Sequence, residues 1–312
     1  EACLVGSEMC IRDRILADTK RLHLGRWRSW PVACLRHPSP RHQPQAFTHW
    51  LQDTVRVEAI DCVIPVYEET FHHGLNHGSL DCDHFCSDIT TLNRLHNKFE
   101  FIELANSLGI PTPETIRVES VAQIKENITP KHILKPVYSR FGEHVIMEPN
   151  PDRLNIDVSQ ANPWILQERL VGKQYCLQGI CRDGKVLSSV AYSSEFTVSK
   201  SSVFFENTER GDLGGIIEDV ASSCNYTGFL SFDVMLCEDG TVRPIECNPR
   251  ATSALHLYAT NDRIAEAILN GQSIGCTGSA RRLVLPMWIN LVSNLLKNCL
   301  LYTSPSPRDT LL

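Results

Sequence analysis

The sequence predicts an α/β region followed by a larger α+β body, and three observations carry that expectation. Near residue 60 an amphipathic segment runs into a short apolar stretch, the order found in βαβ units. Further along, alternating apolar runs flank Asp-Gly at 183–184 and at 239–240, and such pairs read as antiparallel hairpins. Between them lie segments whose apolar residues recur every three or four positions, as in helices packed on a sheet.

The elements follow in chain order. Residues 15–18 (ILAD) form a short strand ending in Asp, and 20–42, rich in Arg, His and Trp with three prolines, read as a basic connecting loop. Phe47, Trp50, Leu51 and Val55 mark one stripe of a helix over 44–56, and residues 60–65 form a buried strand that Pro65 stops. A helix leading into such a strand implies a parallel sheet. Glu68 and Glu69 follow the strand's carboxyl end, where open α/β sheets place ligand groups; solvated turn carboxylates read equally well. His72, His73, His77, Cys82, His84 and Cys86 crowd the next segment. Cys82-x3-Cys86 has zinc-type spacing, but no second pair follows at finger-like distance, so a zinc site is the weaker reading. Leu92, Leu95, Phe99, Ile102 and Leu108 predict one helix over 90–108 with Lys98 inside it, closed by Gly109 and Pro111.

Two strands, 133–137 and 144–146, flank a loop holding Ser139, Arg140 and Gly142, whose backbone N–H groups can nest a phosphate. Lys135 lies mid-strand among apolar neighbours, where an ammonium needs a partner such as a triphosphate. Residues 175–194 read as two strands around Asp183-Gly184, 195–214 as a polar loop facing substrate, and 216–224 as a helix. The stretch 228–250 (GFLSFDVMLCEDGTVRPIECNPR) is a hairpin that brings Asp233, Glu246 and Asn248 to one side, since strand side chains alternate faces. Two carboxylates and an amide oxygen on neighbouring strand ends make a hard oxygen site of the kind that holds Mg²⁺ with nucleotide phosphates. Pro249 stops the strand, and Arg250 adds a cation beside the site. Thr252, Ser253 and His256 open a helix-like run near this end, with a second helix over 261–269.

The order Lys98, Lys135 with its loop, Glu168, Asp233 and Glu246-x-Asn248-Pro249-Arg250 resembles the ATP-grasp enzymes over about 90–269, in the style of the carbamoyl-phosphate synthetase large chain. The resemblance implies a truncated Rossmann-like pre-ATP-grasp domain over 15–89. A two-lobed ATP-grasp fold follows over 90–298, its small lobe at about 113–168. It implies ATP and Mg²⁺ (or Mn²⁺) as cofactors, with Lys98, Lys135, Ser139 and Gly142 on the phosphates and Asp233, Glu246 and Asn248 on the metal. Glu168 is then set at the adenine amine, the Arg169–Leu170 backbone on the base, and Gln174 at the ribose, where members often carry Glu. Arg250, Lys135 and Arg140 are the implied catalytic cations. The implied chemistry is a ligase step: a small-molecule carboxylate becomes an acylphosphate that an amine or similar nucleophile displaces. An ATP-dependent phosphotransferase and a non-catalytic nucleotide-binding protein are the alternatives.

Composition bounds these readings. A net charge of −6 argues against sequence-independent nucleic-acid binding. The apolar stretch 283–296 is broken by Pro286, Asn290 and Ser293, so no membrane partner is expected. The thirteen cysteines are scattered, several through apolar strands, which fits reduced thiols in a cytoplasmic protein. Residues 4–14 (LVGSEMCIRDR) and 299–309 (CLLYTSPSPRD) resemble translations of a sequencing adapter and its reverse complement. Segments 1–14 and 299–312 are therefore expected to stand outside the natural fold, with the natural protein cut at both ends.

Overall fold

The computed structural model describes residues 14–21, 33–139, 144–193, 197–198, 201–202, 204–208, 213–259 and 263–282. The adapter-like segments and the stretch 283–296 lie outside them, apart from Arg14.

At the N-terminal side, β1 (Ile15–Asp18) pairs in parallel with β2 (Ala33–Arg36). The second strand corrects the reading of 20–42 as loop: the run Ala33-Cys34-Leu35 is too short to stand out by pattern, yet long enough to pair. Helix α1 (Pro44–Val57) starts with Pro in its first turn and buries Phe47, Leu51 and Val55, the predicted stripe. Strand β3 is only Cys62–Val63; it pairs in parallel with β4 (Asp83–His84), and α2 (Thr70–Leu75) crosses between them. The βαβ order holds, but the parallel pairing forms two separate two-stranded ladders.

The predicted helix over 90–108 is two helices, α3 (Ile89–His96) and α4 (Lys98–Ser107). Asn97 breaks the run with ψ 108°, and its Oδ1 accepts from the N–H groups of Phe99 and Glu100, both at 3.1 Å. Asp88 caps α3 in the same way, through Thr90 and Thr91. The apolar stripe runs across the break because both helices pack on one sheet, so periodicity alone did not reveal it.

A small lobe follows. Strand β5 (Thr115–Val118), α5 (Val121–Asn127), β6 (His132–Pro136) and β7 (Trp164–Glu168) build an antiparallel sheet of order β5-β7-β6. Its own core is Val118, Ile124, Leu134, Trp164 and Leu166. The predicted strand at 144–146 shrinks to one bridge, Leu134 to Ile146, because His144 takes a left-handed φ of 62° that an extended strand does not allow.

The large lobe rests on a sheet of order β14-β13-β8-β9-β12-β15. Strands β8 (Gly172–Arg182) and β9 (Lys185–Ser193) join through Asp183 and Gly184 at φ 49° and 76°, both left-handed as a tight hairpin demands. The expected loop 195–214 instead carries a small hairpin, β10 (Thr197–Val198) with β11 (Ser201–Ser202), and then β12 (Phe204–Asn207). Strand β12 continues the sheet beside β9, which gives its backbone groups partners that local polarity does not foretell. Helix α6 (Gly214–Ser223) crosses the sheet at Gly179, where an added Cβ would lie 2.6 Å from Ile217. The hairpin of β13 (Gly228–Cys237) and β14 (Val242–Asn248) forms as predicted, with Gly240 at φ 81° in its turn. A 3₁₀ turn (Ser253–Leu257), α7 (Ile264–Asn270) and β15 (Ala280–Arg282) complete the described chain.

The sheet is covered on both faces. Helices α3, α4 and α6 lie on one, over a core that includes Phe101, Ile217, Leu230, Phe232 and Val234. Phe85, Phe205, Phe229, Leu257 and Ile268 pack against the other. The early segment docks here too: Arg182 holds Asp83 at 2.8 Å, and Ser87 bonds the backbone of Thr227 in both directions.

Candidate active site

Alternation along β13 sends Leu230, Phe232 and Val234 into the helix-covered core and leaves Ser231 and Asp233 on the opposite face. Register then aligns whole rows. Asp233 lies directly between Cys176 of β8 and Glu246 of β14, and Ser231 lies between Gln178 and Asn248. The sequence-predicted trio Asp233, Glu246 and Asn248 therefore meets on one end of the sheet, at a β-bulge between Asp233 and Val234.

Two carboxylates side by side in a partly buried row cannot both ionise freely. Burial and the neighbouring Glu246 push the Asp233 carboxyl up from the ordinary range. Burial acts the same way on Glu246, but Lys98, Lys135 and hydrogen bonds from Asp233 and Asn248 outweigh it and hold Glu246 down. The Cys176 thiol donates to Asp233 Oδ1 at 2.8 Å, and burial followed by Asp233 raises that thiol well above its usual value, so it stays a neutral donor. Sequence reading missed Cys176, and its one available signal was register: it stands opposite Asp233 with Gln178 two places on.

Two lysines close over this row from separate elements. Lys98 is the first residue of α4, not a mid-helix residue; its Nζ donates to the Ser139 carbonyl at 3.1 Å and lies 3.5 Å from Glu246 Oε2. Lys135 reaches from β6 of the small lobe to donate to the Ile245 carbonyl at 3.3 Å. Both are buried, and burial lowers Lys135 to about 8 against the pull of Glu246. Such ammonium groups, with few protein acceptors and a low-dielectric setting, suit a polyanion brought in from solution.

Arg250 is held on several sides. Its Nε lies 2.8 Å from Glu68 Oε1, its Nη2 donates to Asn248 Oδ1 at 3.4 Å, its Nη1 donates to the Ala251 carbonyl, and its guanidinium stands 5.6 Å from the Tyr67 ring centroid. Beneath it, Gln178 Oε1 accepts from Ser231, from the Thr252 N–H and from the Thr252 hydroxyl, which locks the chain just after the Asn-Pro-Arg turn. Glu68 is thus buried beside Arg250 and is not the solvated turn carboxylate of one reading. Glu69 serves the loop itself, accepting from the Tyr67 N–H at 3.1 Å.

The remaining predicted residues are spread more widely. Arg140 and Gly142 lie outside the described residues, and Ser139 presents its carbonyl to Lys98. Glu168 ends β7, accepting from the Glu114 N–H at 3.2 Å and pairing with Arg243 at 3.5 Å, away from the carboxylate row. The Arg169 N–H donates to the Lys131 carbonyl, and half-buried Leu170 leads on to β8. Gln174 is exposed on β8, on the same face as Cys176. Ser253 starts the 3₁₀ turn, and His256 packs near Phe205. In the early segment His73 and His84 hydrogen-bond each other at 3.2 Å and Cys86 bonds the backbone; among the described residues, no three His, Cys, Asp or Glu side chains gather as a metal cluster.

The donor set Asp233, Glu246 and Asn248 is all oxygen, which fits Mg²⁺ or Mn²⁺ better than zinc. A divalent cation there would offset the burial and the Glu246 charge that together raise Asp233.

Comparison with known proteins points the same way. A model of the ATP-grasp domain matches residues 95–254. No curated protein matches the chain by sequence. Among solved structures, an L-amino acid ligase from Bacillus licheniformis is similar at 16% identity and a TM-score of 0.59, over 74% of this chain and 59% of that one. A biotin carboxylase from Campylobacter jejuni is similar at 12% identity and 0.60, over 77% and 59%. The ADP complex of purK, an N5-carboxyaminoimidazole ribonucleotide synthetase, is similar at 15% identity and 0.66, over 86% and 73%. The chain thus spans about 59% of the length of the first two, and at these identities the likeness is one of fold.

Proposed function

The chain belongs to the ATP-grasp family, and from that premise we propose that it is an ATP- and Mg²⁺-dependent ligase that activates a small-molecule carboxylate as an acylphosphate for attack by an amine. One observation carries the proposal: two buried lysines from different lobes converge on a coupled carboxylate pair that ends in Asn-Pro-Arg. Asp233, Glu246 and Asn248 would hold Mg²⁺, which when bound neutralises phosphate charge and supplies a Lewis acid. Lys98 and Lys135 bind the phosphate oxygens from above the row. Arg250 faces the charge that gathers on the transferring phosphoryl group. The substrate carboxylate attacks the γ-phosphorus as the bond to ADP breaks; the amine then attacks the acyl carbon, phosphate leaves, and the amine proton is lost. Electrostatic preorganisation and in-line placement account for the rate, with no covalent enzyme intermediate. Glu168, the Arg169–Leu170 link and Gln174 line the route to the base and ribose on this reading.

Mg²⁺-dependent stabilisation by ATP in thermal melts tests this. The wild-type chain is expected to gain stability with Mg-ATP, and Glu246→Ala/Asn248→Ala to lose that gain while remaining folded. Screening carboxylate and amine pairs for ADP release follows. ADP release that never depends on an amine would point to a phosphotransferase, and no nucleotide effect on a folded chain would overturn the reading.

A further inference from the structure

We propose that Glu68, a residue outside the matched domain at 95–254, is a positioning residue for Arg250, so that the segment ahead of the domain completes the site. The proposal rests on the ligase reading above for the role of Arg250, but its geometric part stands apart from that reading.

The pair is close and dry. Arg250 Nε and Glu68 Oε1 are 2.8 Å apart, with side-chain exposures of 10% and 12%. Tyr67, the residue before Glu68, lies under the same guanidinium, so two consecutive side chains of one loop grip it. That loop is itself fixed, since Glu69 accepts from the N–H groups of Val66 and Tyr67 and α2 begins at Thr70. Glu68 also lines an open cleft of about 400 Å³ together with His72, Asn93, His96, Tyr138 and Ser139. Ser139 is the residue whose carbonyl takes Lys98. Glu68 thus stands between this cleft and Arg250, which it approaches to 2.8 Å.

A guanidinium is one rigid plane, so a carboxylate in ion-pair contact with its Nε edge bears on where the other edge points, although that contact lacks the geometry of a hydrogen bond. Asn248 and Ala251 bond to Nη2 and Nη1 at 3.4 and 3.2 Å, longer contacts than the one to Glu68. Without the Glu68 carboxylate these two bonds and the Tyr67 ring hold the plane less firmly. Misplacing a reacting group by about 1 Å costs roughly 100-fold in rate.

The test uses the full chain with ¹⁵N-arginine labelling. The Arg250 Nε–Hε signal, assigned by its loss in Arg250→Lys, is expected to shift in Glu68→Gln and to move less in Glu68→Asp. With the carboxylate that gives the fastest ADP release, Glu68→Gln is expected to lower kcat roughly 10- to 100-fold. Its KM for Mg-ATP is expected to stay within about 2-fold, and Glu68→Asp to recover part of kcat. The double variant Glu68→Gln/Arg250→Lys is expected to lose no more than Arg250→Lys alone, because the effect of Glu68 passes through Arg250. Additive losses, a wild-type kcat in Glu68→Gln, or an unmoved Nε–Hε signal would each overturn the proposal. If Glu68→Gln does not fold, Glu68→Asp carries the same comparisons. If the wild type neither binds Mg-ATP nor releases ADP, the ligase reading fails, while the substrate-free Nε–Hε signal still decides whether Glu68 positions Arg250.

Discussion

Lys135 is an ammonium at 4% exposure that donates to a backbone carbonyl, Ile245 O, at 3.3 Å. Burial lowers it to about 8, and Glu246 and Asp233 offset only part of that cost. We infer that a group held at such cost serves ligand binding rather than folding. Lys135→Met, similar in volume and uncharged, is therefore expected to leave the urea midpoint of the free protein equal or higher. The same change should weaken Mg-ATP binding roughly 10- to 100-fold, the value of one hydrogen bond to a charged group. Titration calorimetry showing unchanged affinity would remove Lys135 from the site. At this scale the sequence was informative wherever a residue's chemistry was odd for its place, as with a lysine in an apolar strand or Glu-x-Asn-Pro-Arg closing one. Cys176 and Gln178 offered no such oddity, because a thiol and an amide in an alternating strand are ordinary until register sets them beside Asp233 and Ser231.

Elements were legible by period and obscure at their joints. The stripe of α3 and α4 read as one helix because an apolar face does not register a cap, and the break at Asn97 decides that Lys98 opens a helix. The same limit applies from α2 to just past β4, where six His and Cys residues crowd without a finger-like second pair and the structure pairs His73 with His84. Burial, with His84 and other imidazoles nearby, lowers His73 to about 3, and burial with His77 lowers His84 to about 4. Both fall below the unfolded value near 6.5, so the unfolded chain binds more protons as acid is added. The stability these neutral rings contribute is complete above about pH 6.5 and is lost as pH falls toward 4. Urea midpoints should drop between pH 7.5 and 5, and His84→Gln should flatten that drop; an unaltered slope would mean other groups set it.

In the molecule as a whole, among the described residues, the small lobe has one core and the large sheet one on each face, with a further cluster of Phe47, Leu51 and Val55 in the early segment. The candidate site lies where Lys135 of the small lobe meets β14. The small lobe closes over five fully buried residues, whereas the large sheet is packed on both faces. Local opening follows core size, so amides of β6 and β7 are expected to exchange faster than those of β8 and β13. Mg-ATP at 100 times its Kd would add about 2.7 kcal/mol to any state that must release it to open. Hydrogen exchange by mass spectrometry should therefore show nucleotide slowing β6 and β7 most, because Lys135 ties the small lobe to the ligand. Equal protection everywhere, or none, would count against a site shared by the two lobes.

The sequence by itself determined the hairpins β8–β9 and β13–β14 with their Asp-Gly turns, the α1 stripe and the shared face of Asp233, Glu246 and Asn248. Each of these is written in spacing over a few residues, and strand and helix periods translate spacing directly into a shared face. The tertiary structure alone decided which distant groups serve that trio. Lys98 meets Glu246 across 148 positions, Lys135 meets Ile245 across 110, and Glu68 meets Arg250 across 182. Contacts of that kind leave no period behind, because they arise from how separately folded layers stack, and stacking is set by the sum of all buried surfaces.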